Sequence, residues 1–455
     1  CYTASPLISG DVCGGIFFIM NNKKPVTAII VGAGHRSMFY SLLADEEPEL
    51  LRIVGVADPD PVKRRLAAEK FNMPEDMIFN SAEELAEKPK IADVIINGTM
   101  DKDHVPTAVP LLSRGYDMLL EKPFALNETE MKLLYDTAKK HKNIVFVCHV
   151  LRYAPFYRAI FERLPEIGDI INIQLTEHVS YHHLVVSYVR GKWKSEAECG
   201  AGMLTAKCCH DLDLLMWFAG KAKPTYVASF GTDVAFSPDK IPAGAGTRCL
   251  VDCKIEADCP YSAKKHYIDH PDRWKFYVWD CFSGQNPTLD DKINSLKSDN
   301  PYGLCVYRCG HDVVDHQSVL ITFDTGMTAT LNMIGGASKA ERNIHIIGTK
   351  GEIKGVFDDS IFAVRKINQS PSCTRYYDEE IVDLKIGGDK SGMSGGHGGG
   401  DLLLVRDFIA AVRGEATSPC APSLPVSVLS HLTAFRAEKA RKTNSVVPIT
   451  DGFDF

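Results

Sequence analysis

A positive field is the first thing this sequence lacks: 51 Lys and Arg stand against 58 Asp and Glu, a formal net charge of −7. Without a basic surplus to attract phosphodiester backbones or anionic lipid, nucleic acid is not an expected partner. Long apolar runs are missing as well. None approaches the roughly 20 residues that a bilayer-spanning helix needs, so no membrane partner is expected and a cytoplasmic location is. The short run 14–20 is followed, not preceded, by the basic pair Lys23 and Lys24, the reverse of a secretory signal. The chain opens on Cys1 and Met20 offers a natural start, so residues 1–24 read as a leader or upstream segment outside the fold. Internal repeats are absent, and so are CxxC pairs, although cysteine itself is not scarce.

Fourteen cysteines in 455 residues do not make a disulfide scaffold, because a chain of this length buries a core of its own. Reduced thiols are the expectation. Cys249, Cys253 and Cys259, with Cys281, Cys305, Cys309 and His311 downstream, are numerous enough for a structural zinc site. Their intervals of three and five residues are not the usual ones, and no metal is assigned. At 45% hydrophobic and 24% charged residues, the composition is that of a globular protein with two domains.

The run Val-Thr-Ala-Ile-Ile-Val at 26–31 ends in Gly32-Ala33-Gly34, the pattern of a buried parallel strand entering a tight turn. A helix and a second strand, 51–57, complete a βαβ unit. The alternation continues through 62–71, 92–96, 105–114, 117–120, 128–141 and 144–148. This predicts an N-terminal Rossmann domain, a doubly wound parallel sheet over residues 25–148. Beyond it, longer alternating strands at 170–178, 319–323 and 328–334 flank an apolar helix at 203–218. They predict an α+β domain over 149–455, built on an open, mostly antiparallel sheet with helices at its C-terminal end. Residues 387–400 hold eight glycines and predict a loop before a helix at 402–413. His397 and Asp401 border it, His397 either within a lid over substrate or as a surface residue.

Gly32 and Gly34 supply the turn and the close backbone approach that a pyrophosphate requires, with His35 and Arg36 opening the helix behind them. Ser37 stands where a third glycine is usual. Asp58 ends the second strand 24 residues past Gly34, where a carboxylate accepts from the ribose hydroxyls and repels a 2′-phosphate. NAD is therefore favoured over NADP. Asp58 also reads as the start of an Asp-Pro-Asp-Pro turn, and Lys63 and Arg64 stand near enough to accommodate a phosphate.

Leu119-Leu120-Glu121-Lys122-Pro123 closes another strand. With Thr99 and His104 before it, His149 to Tyr153 at the domain junction, His210-Asp211-Leu212-Asp213 and Trp217 on the central helix, and Ala437-Glu438-Lys439 near the end, the chain resembles the Gfo/Idh/MocA oxidoreductases from Val26 onward. That resemblance implies hydride transfer between NAD(P) and the hydroxyl of a sugar, sugar derivative or cyclic polyol. It implies that Lys122 binds the reacting hydroxyl, that His210 exchanges its proton, and that Thr99, His104, Glu121, Lys122 and Arg152 meet the cofactor. One departure stands out. The family usually has Asp one helical turn before this His; here Ala206 occupies that place and Lys207 follows. Lys207 shares a helix face with His210, and three readings stand: it serves an acidic substrate, fixes the hydroxyl in place of the acid, or points to solvent. His178, Tyr181, His182, His183, Arg190 and Trp193 follow the first strand of the second domain and are candidates to line a carbohydrate site. An NAD-dependent glycosidase working by transient oxidation and elimination, and a non-catalytic NAD- and sugar-responsive regulator, remain alternatives. A homo-oligomer joined through the C-terminal sheet is expected.

Overall fold

The β-branched run at the N-terminus forms β1 (Val26–Val31), whose interior positions are sealed from solvent. A computed structural model describes residues 24–385 and 399–450. β2 (Leu51–Ala57), β3 (Ile78–Phe79), β4 (Val94–Asn97), β5 (Asp117–Leu120) and β6 (Val145–Val147) join β1 in a six-stranded sheet of order β3-β2-β1-β4-β5-β6, every pairing parallel. The order reverses between β1 and β4, and a crevice opens at the carboxyl ends of those strands. Helices alternate with the strands, among them α1 (His35–Tyr40), α2 (Pro61–Phe71), α3 (His104–Ser113) and α4 (Glu128–His141). Local chemistry explains where they start. The Asp60 side chain accepts from the amides of Val62 and Lys63 with Pro61 at the first position of α2, and Asn127 caps α4 through Glu130.

A second sheet holds β7 (Ile170–Ser180), β8 (Pro224–Thr232), β9 (His316–Phe323), β10 (Thr328–Ala337), β11 (Glu341–Gly348), β12 (Gly351–Val356), β13 (Ile361–Ile367), β14 (Tyr377–Asp383) and β15 (Val447–Pro448), in the order β14-β13-β12-β11-β7-β10-β9-β8-β15. Only β7 and β10 pair in parallel, so the sheet is open and mostly antiparallel, as the alternation predicts. The central helix α5 (Met203–Ala219) is buried at nearly every position except Lys207 and covers one face of this sheet. Two more helices follow, α6 (Gly400–Val412) and α7 (Leu424–Thr443). α6 returns to the first sheet, where Phe408 and Phe146 pack with ring centroids 5.5 Å apart.

One feature escapes the sequence patterning. Between β8 and β9 the chain makes an excursion, residues 233–315, through short helical turns. It carries its own apolar cluster, with Tyr267, Trp274, Val278, Trp279, Leu296 and Tyr302 at its centre. The glycine-rich stretch and His397 lie outside the described residues, as does most of the 1–24 segment.

Candidate active site

The glycine turn after β1 is shaped by its neighbours. Gly32 has φ +78°, and a Cβ there would lie 2.8 Å from Thr99 Cα, so only glycine fits between β1 and the loop after β4. The next glycine, Gly34, faces open space, with no protein atom nearer than 3.9 Å to a Cβ built on it. Ser37 replaces the third glycine without cost because Gly98 stands opposite it, and its hydroxyl donates to the Gly32 carbonyl at 2.7 Å. Asp58 is buried and ties the turn together: one oxygen accepts from Ala33 N at 2.6 Å, the other from Asp60 N at 2.8 Å. Each carboxylate oxygen keeps a second lone pair for a ribose hydroxyl. The bond from Asp60 N closes the Asp58-Pro59-Asp60-Pro61 turn on Asp58, and the helix after it is capped by Asp60. The nearby cations are engaged, Arg64 with the Asp58 carbonyl at 2.5 Å and Lys63 with Asp280 at 3.5 Å. An open second glycine and a carboxylate at the end of β2 fit a dinucleotide.

At the end of β5, Glu121 is buried, yet its pKa stays below the ordinary carboxylate range. Burial opposes ionisation, and the neighbouring Arg36 and Lys122 charges and the Tyr40 hydroxyl outweigh it. Tyr40 donates to Glu121 at 2.5 Å while accepting from Arg36 at 2.6 Å, and Arg36 also pairs with Asp401. Arg36 is thus a clamp joining α1, the Glu121 strand end and α6. Lys122 projects past this clamp to α5, its Nζ 3.5 Å from the Ala206 carbonyl. In an α-helix that carbonyl also accepts the amide of the residue four ahead, which here is His210. Lys122 and His210 therefore meet at one helical turn, and the missing acid at position 206 is replaced, for Lys122, by a backbone oxygen. The His210 ring is buried and lies edge-on to His149, with centroids 6.0 Å apart. Burial, and then the Arg152 charge, hold His149 well below the ordinary histidine range, so it is neutral near pH 7.

Lys207 does not point to solvent. Its Nζ sits 3.0 Å from Glu177 Oε1, Glu177 meets Arg342 at 2.7 Å, and Arg342 reaches Asp211 at 3.1 Å. Burial pushes Asp211 up, whereas Glu177 stays low because Arg342 and Lys207 outweigh its burial. Glu177 and Arg342 were not legible in the sequence. Strand alternation was the available signal, since Ile173, Leu175 and Glu177 share the covered face of β7.

Several expected contacts are otherwise engaged. Arg152 forms a bidentate pair with Asp213, both bonds 2.6 Å and both side chains buried. The pair holds α5 to the domain junction through Nε and Nη2, and breaking it would strand a buried carboxylate at a cost of about 3–5 kcal/mol. His104 is enclosed, its ring nitrogens 2.7 Å from the Pro123 carbonyl and 3.1 Å from that of Thr99. It braces the Lys122-Pro123 turn from behind. Arg190 is buried in the excursion, bonded to the carbonyls of Leu304 and Tyr261 and to Cys249 Sγ at 3.3 Å, with no donor turned to a sugar. His178 projects from the face of β7 opposite Glu177.

Tyr181, His182 and Trp193 do gather near one another's partners. His182 Nδ1 accepts from Trp274 Nε1 at 3.0 Å, and burial lowers its pKa to about 4. The Tyr181 and His182 rings meet edge-on at 5.4 Å, and Trp193 donates to Asp101 at 2.8 Å beside Tyr277. Trp274 and Tyr277 come from the excursion and had no signal in the sequence. Among the described residues no cluster of His, Cys, Asp or Glu is arranged to hold a metal, and each described cysteine is a free thiol.

Comparison with known proteins adds an independent line. Residues 26–149 match the family model for the NAD-binding Rossmann fold of the Gfo/Idh/MocA oxidoreductases, and residues 164–267 match the model for that family's C-terminal α/β domain. The Bacillus subtilis protein YteT is 24% identical over 391 residues, covering 82% of this chain and 85% of YteT. Two solved structures share the fold. An oxidoreductase from Agrobacterium radiobacter, crystallised with NAD+, L-tartaric acid and magnesium, superposes with a TM-score of 0.64 at 13% identity, covering 94% of this chain and all of the other. A myo-inositol 2-dehydrogenase from Lactobacillus plantarum gives 0.61 at 15% identity with the same coverage.

Proposed function

Because the chain belongs to the Gfo/Idh/MocA oxidoreductase family, we propose that it transfers hydride between NAD and the hydroxyl-bearing carbon of a sugar, sugar derivative or cyclic polyol. A nicotinamide bound at the carboxyl ends of β1 and β4 supplies the hydride acceptor or donor. Lys122 binds the reacting oxygen and stabilises negative charge on it, and His210 takes or returns the hydroxyl proton. The observation that carries this reading is the convergence of Lys122 Nζ on the α5 turn that bears His210. Lys207, held by Glu177, presents a fixed cation on the same helix for a second substrate oxygen. The engagement of Arg64 and Lys63, with Asp58 negative at the end of β2, supports NAD over NADP.

Residues 25–148 form the dinucleotide domain in this reading and 149–455 the substrate domain, with α6 packed back on the first sheet. The second sheet supports self-association through its uncovered face. No helix among the described residues is long and apolar enough to cross a membrane.

The test is incubation of the purified protein with NAD and a panel of sugars, sugar acids, inositols and glycosides, following both NADH absorbance and product mass. Net NADH with a keto product is expected for at least one member of the panel. Aglycone release without NADH would instead mean glycoside cleavage by transient oxidation. Dinucleotide and sugar binding with no product would mean a regulator.

A further inference from the structure

Three loops frame the dinucleotide crevice of a doubly wound sheet, those that follow β1, β2 and β4, and the β8–β9 excursion with its neighbours touches all three. After β1, the His35 ring lies 4.7 Å from that of Phe276. After β2, Lys63 Nζ is 3.5 Å from Asp280, and Gly284 packs so closely that a Cβ on it would stand 3.1 Å from a Val62 methyl. After β4, Asp101 accepts from Trp193, and Lys192 Nζ lies 3.5 Å from Met100 Sδ. Trp193 and Lys192 in turn pack on Tyr277, at 5.5 Å and 5.3 Å from its ring centroid. A single strip, residues 274–284, thus runs across the mouth of the crevice from the substrate side to the adenosine side.

Its course is fixed from beneath. Trp274 has φ +59°, a left-handed conformation that a bulky residue keeps only where its surroundings hold it. Its indole is buried and donates to His182. Val278 and Trp279 are anchored in the excursion's apolar cluster. The outward side chains are the ones left to cover the crevice. Phe276 is 47% exposed, and its ring meets that of His35, at the start of the cofactor helix.

We propose that residues 274–284 form the outer wall of the dinucleotide site and that their parting from the crevice sets the rate at which NADH leaves. This rests on the cofactor reading above. Release requires the strip to part from the loops after β1 and β2, and from Lys192 and Trp193 that tie it to the loop after β4, so the escape rate is set by that local opening and not by the contacts of the dinucleotide alone.

The test is the release rate of NADH from the full-length protein, read by energy transfer from protein tryptophan to bound NADH during a chase with excess NAD. A pre-steady-state burst of bound NADH provides a second readout. The parent is expected to show that burst and to release NADH at the rate at which it turns over. A Phe276→Ala, Asp280→Asn variant should release it at least tenfold faster with an unchanged melting temperature. Leu289→Ala, an exposed apolar change elsewhere on the excursion, should leave the rate alone. Exchange in the parent faster than turnover, or equal release from parent and double variant, overturns the proposal while leaving the oxidoreductase reading intact. Failure of the parent to bind either NAD or NADH overturns both.

Discussion

Hydride leaves a carbinol carbon only as its hydroxyl proton departs, so Lys122 and His210 are the side chains whose removal must be felt in rate and not in folding. Lys122→Met and His210→Asn keep approximate volume. Each is expected to lower turnover by on the order of 10²–10⁴, with dinucleotide affinity and melting temperature near those of the parent. Steady-state kinetics beside calorimetric titration checks this, and turnover within a few-fold of the parent in both variants removes them from the mechanism. Asp58 supports a second expectation. Its carboxylate is fixed by Ala33 and Asp60, so it cannot swing away from a 2′-phosphate, and NAD should bind more tightly than NADP; equal or tighter NADP binding defeats that assignment. Gly32, Gly34, Asp58 and Lys122 could be placed from the sequence because each stands within a few residues of a strand end. The partners were not. Arg36 and Asp401 are 365 residues apart, Lys207 and Glu177 meet only because β7 lies under α5, and Asp213, the counter-ion of Arg152, lies 61 residues from it.

Among the elements, β1, β2 and β5 were readable as apolar runs buried on both faces, and α4 from the one face it buries through Met131, Leu134 and Ala138. The excursion was not, since its short turns repeat nothing and its core is assembled from aromatic residues far apart in sequence. The packing around α5, α7 and the turn after β7 has a consequence for pH. Burial holds His149 and His183 well below the ordinary range, His182 at about 4 and His431 at about 3, and lowers His266 too. These rings stay neutral in the folded protein, whereas in the unfolded chain they take up protons below about pH 6.5. The unfolded state then binds more protons, so stability falls as pH falls, by up to about 1.4 kcal/mol per pH unit for each ring fully barred from protonation. Four carboxyls raised by burial, Asp117, Asp211, Asp213 and Asp358, work in the opposite sense, four groups against five. Melting temperature is therefore expected to decline from pH 6.5 to pH 5, and a flat or rising profile in scanning fluorimetry over that interval would contradict the neutral histidines.

For the whole molecule, the decisive asymmetry is between the two faces of the second sheet. One face lies under α5, carrying Val319, Ile321, Leu331 and Met333. On the other, alternation presents Tyr226, Ala228 and Phe230 from β8, Ser318 and Leu320 from β9, and Thr330, Asn332 and Ile334 from β10. These residues are neighbours across the strands: Ala228 pairs with Leu320 and Phe230 with Ser318. No charged side chain interrupts them, although 24% of the chain is charged, and Phe230 and Tyr226 are 64% and 52% exposed. Farther along the same face His345, Glu352, Arg365 and Glu379 are ion-paired, but the β8–β10 portion, uncharged and with protruding aromatics, is expensive to leave in water and is self-complementary under a two-fold axis, so a second copy of this chain is the expected occupant. Light scattering across the micromolar range should give at least twice the 50.2 kDa chain mass. Phe230→Asp should return it to the single-chain value, because a carboxylate on each copy would face its symmetry mate without a cation nearby. Phe230 contributes to no buried cluster, so the variant should melt no lower than an isolated parent protomer and still bind dinucleotide. A parent that scatters as one chain throughout that range would show that the uncovered face stays in water.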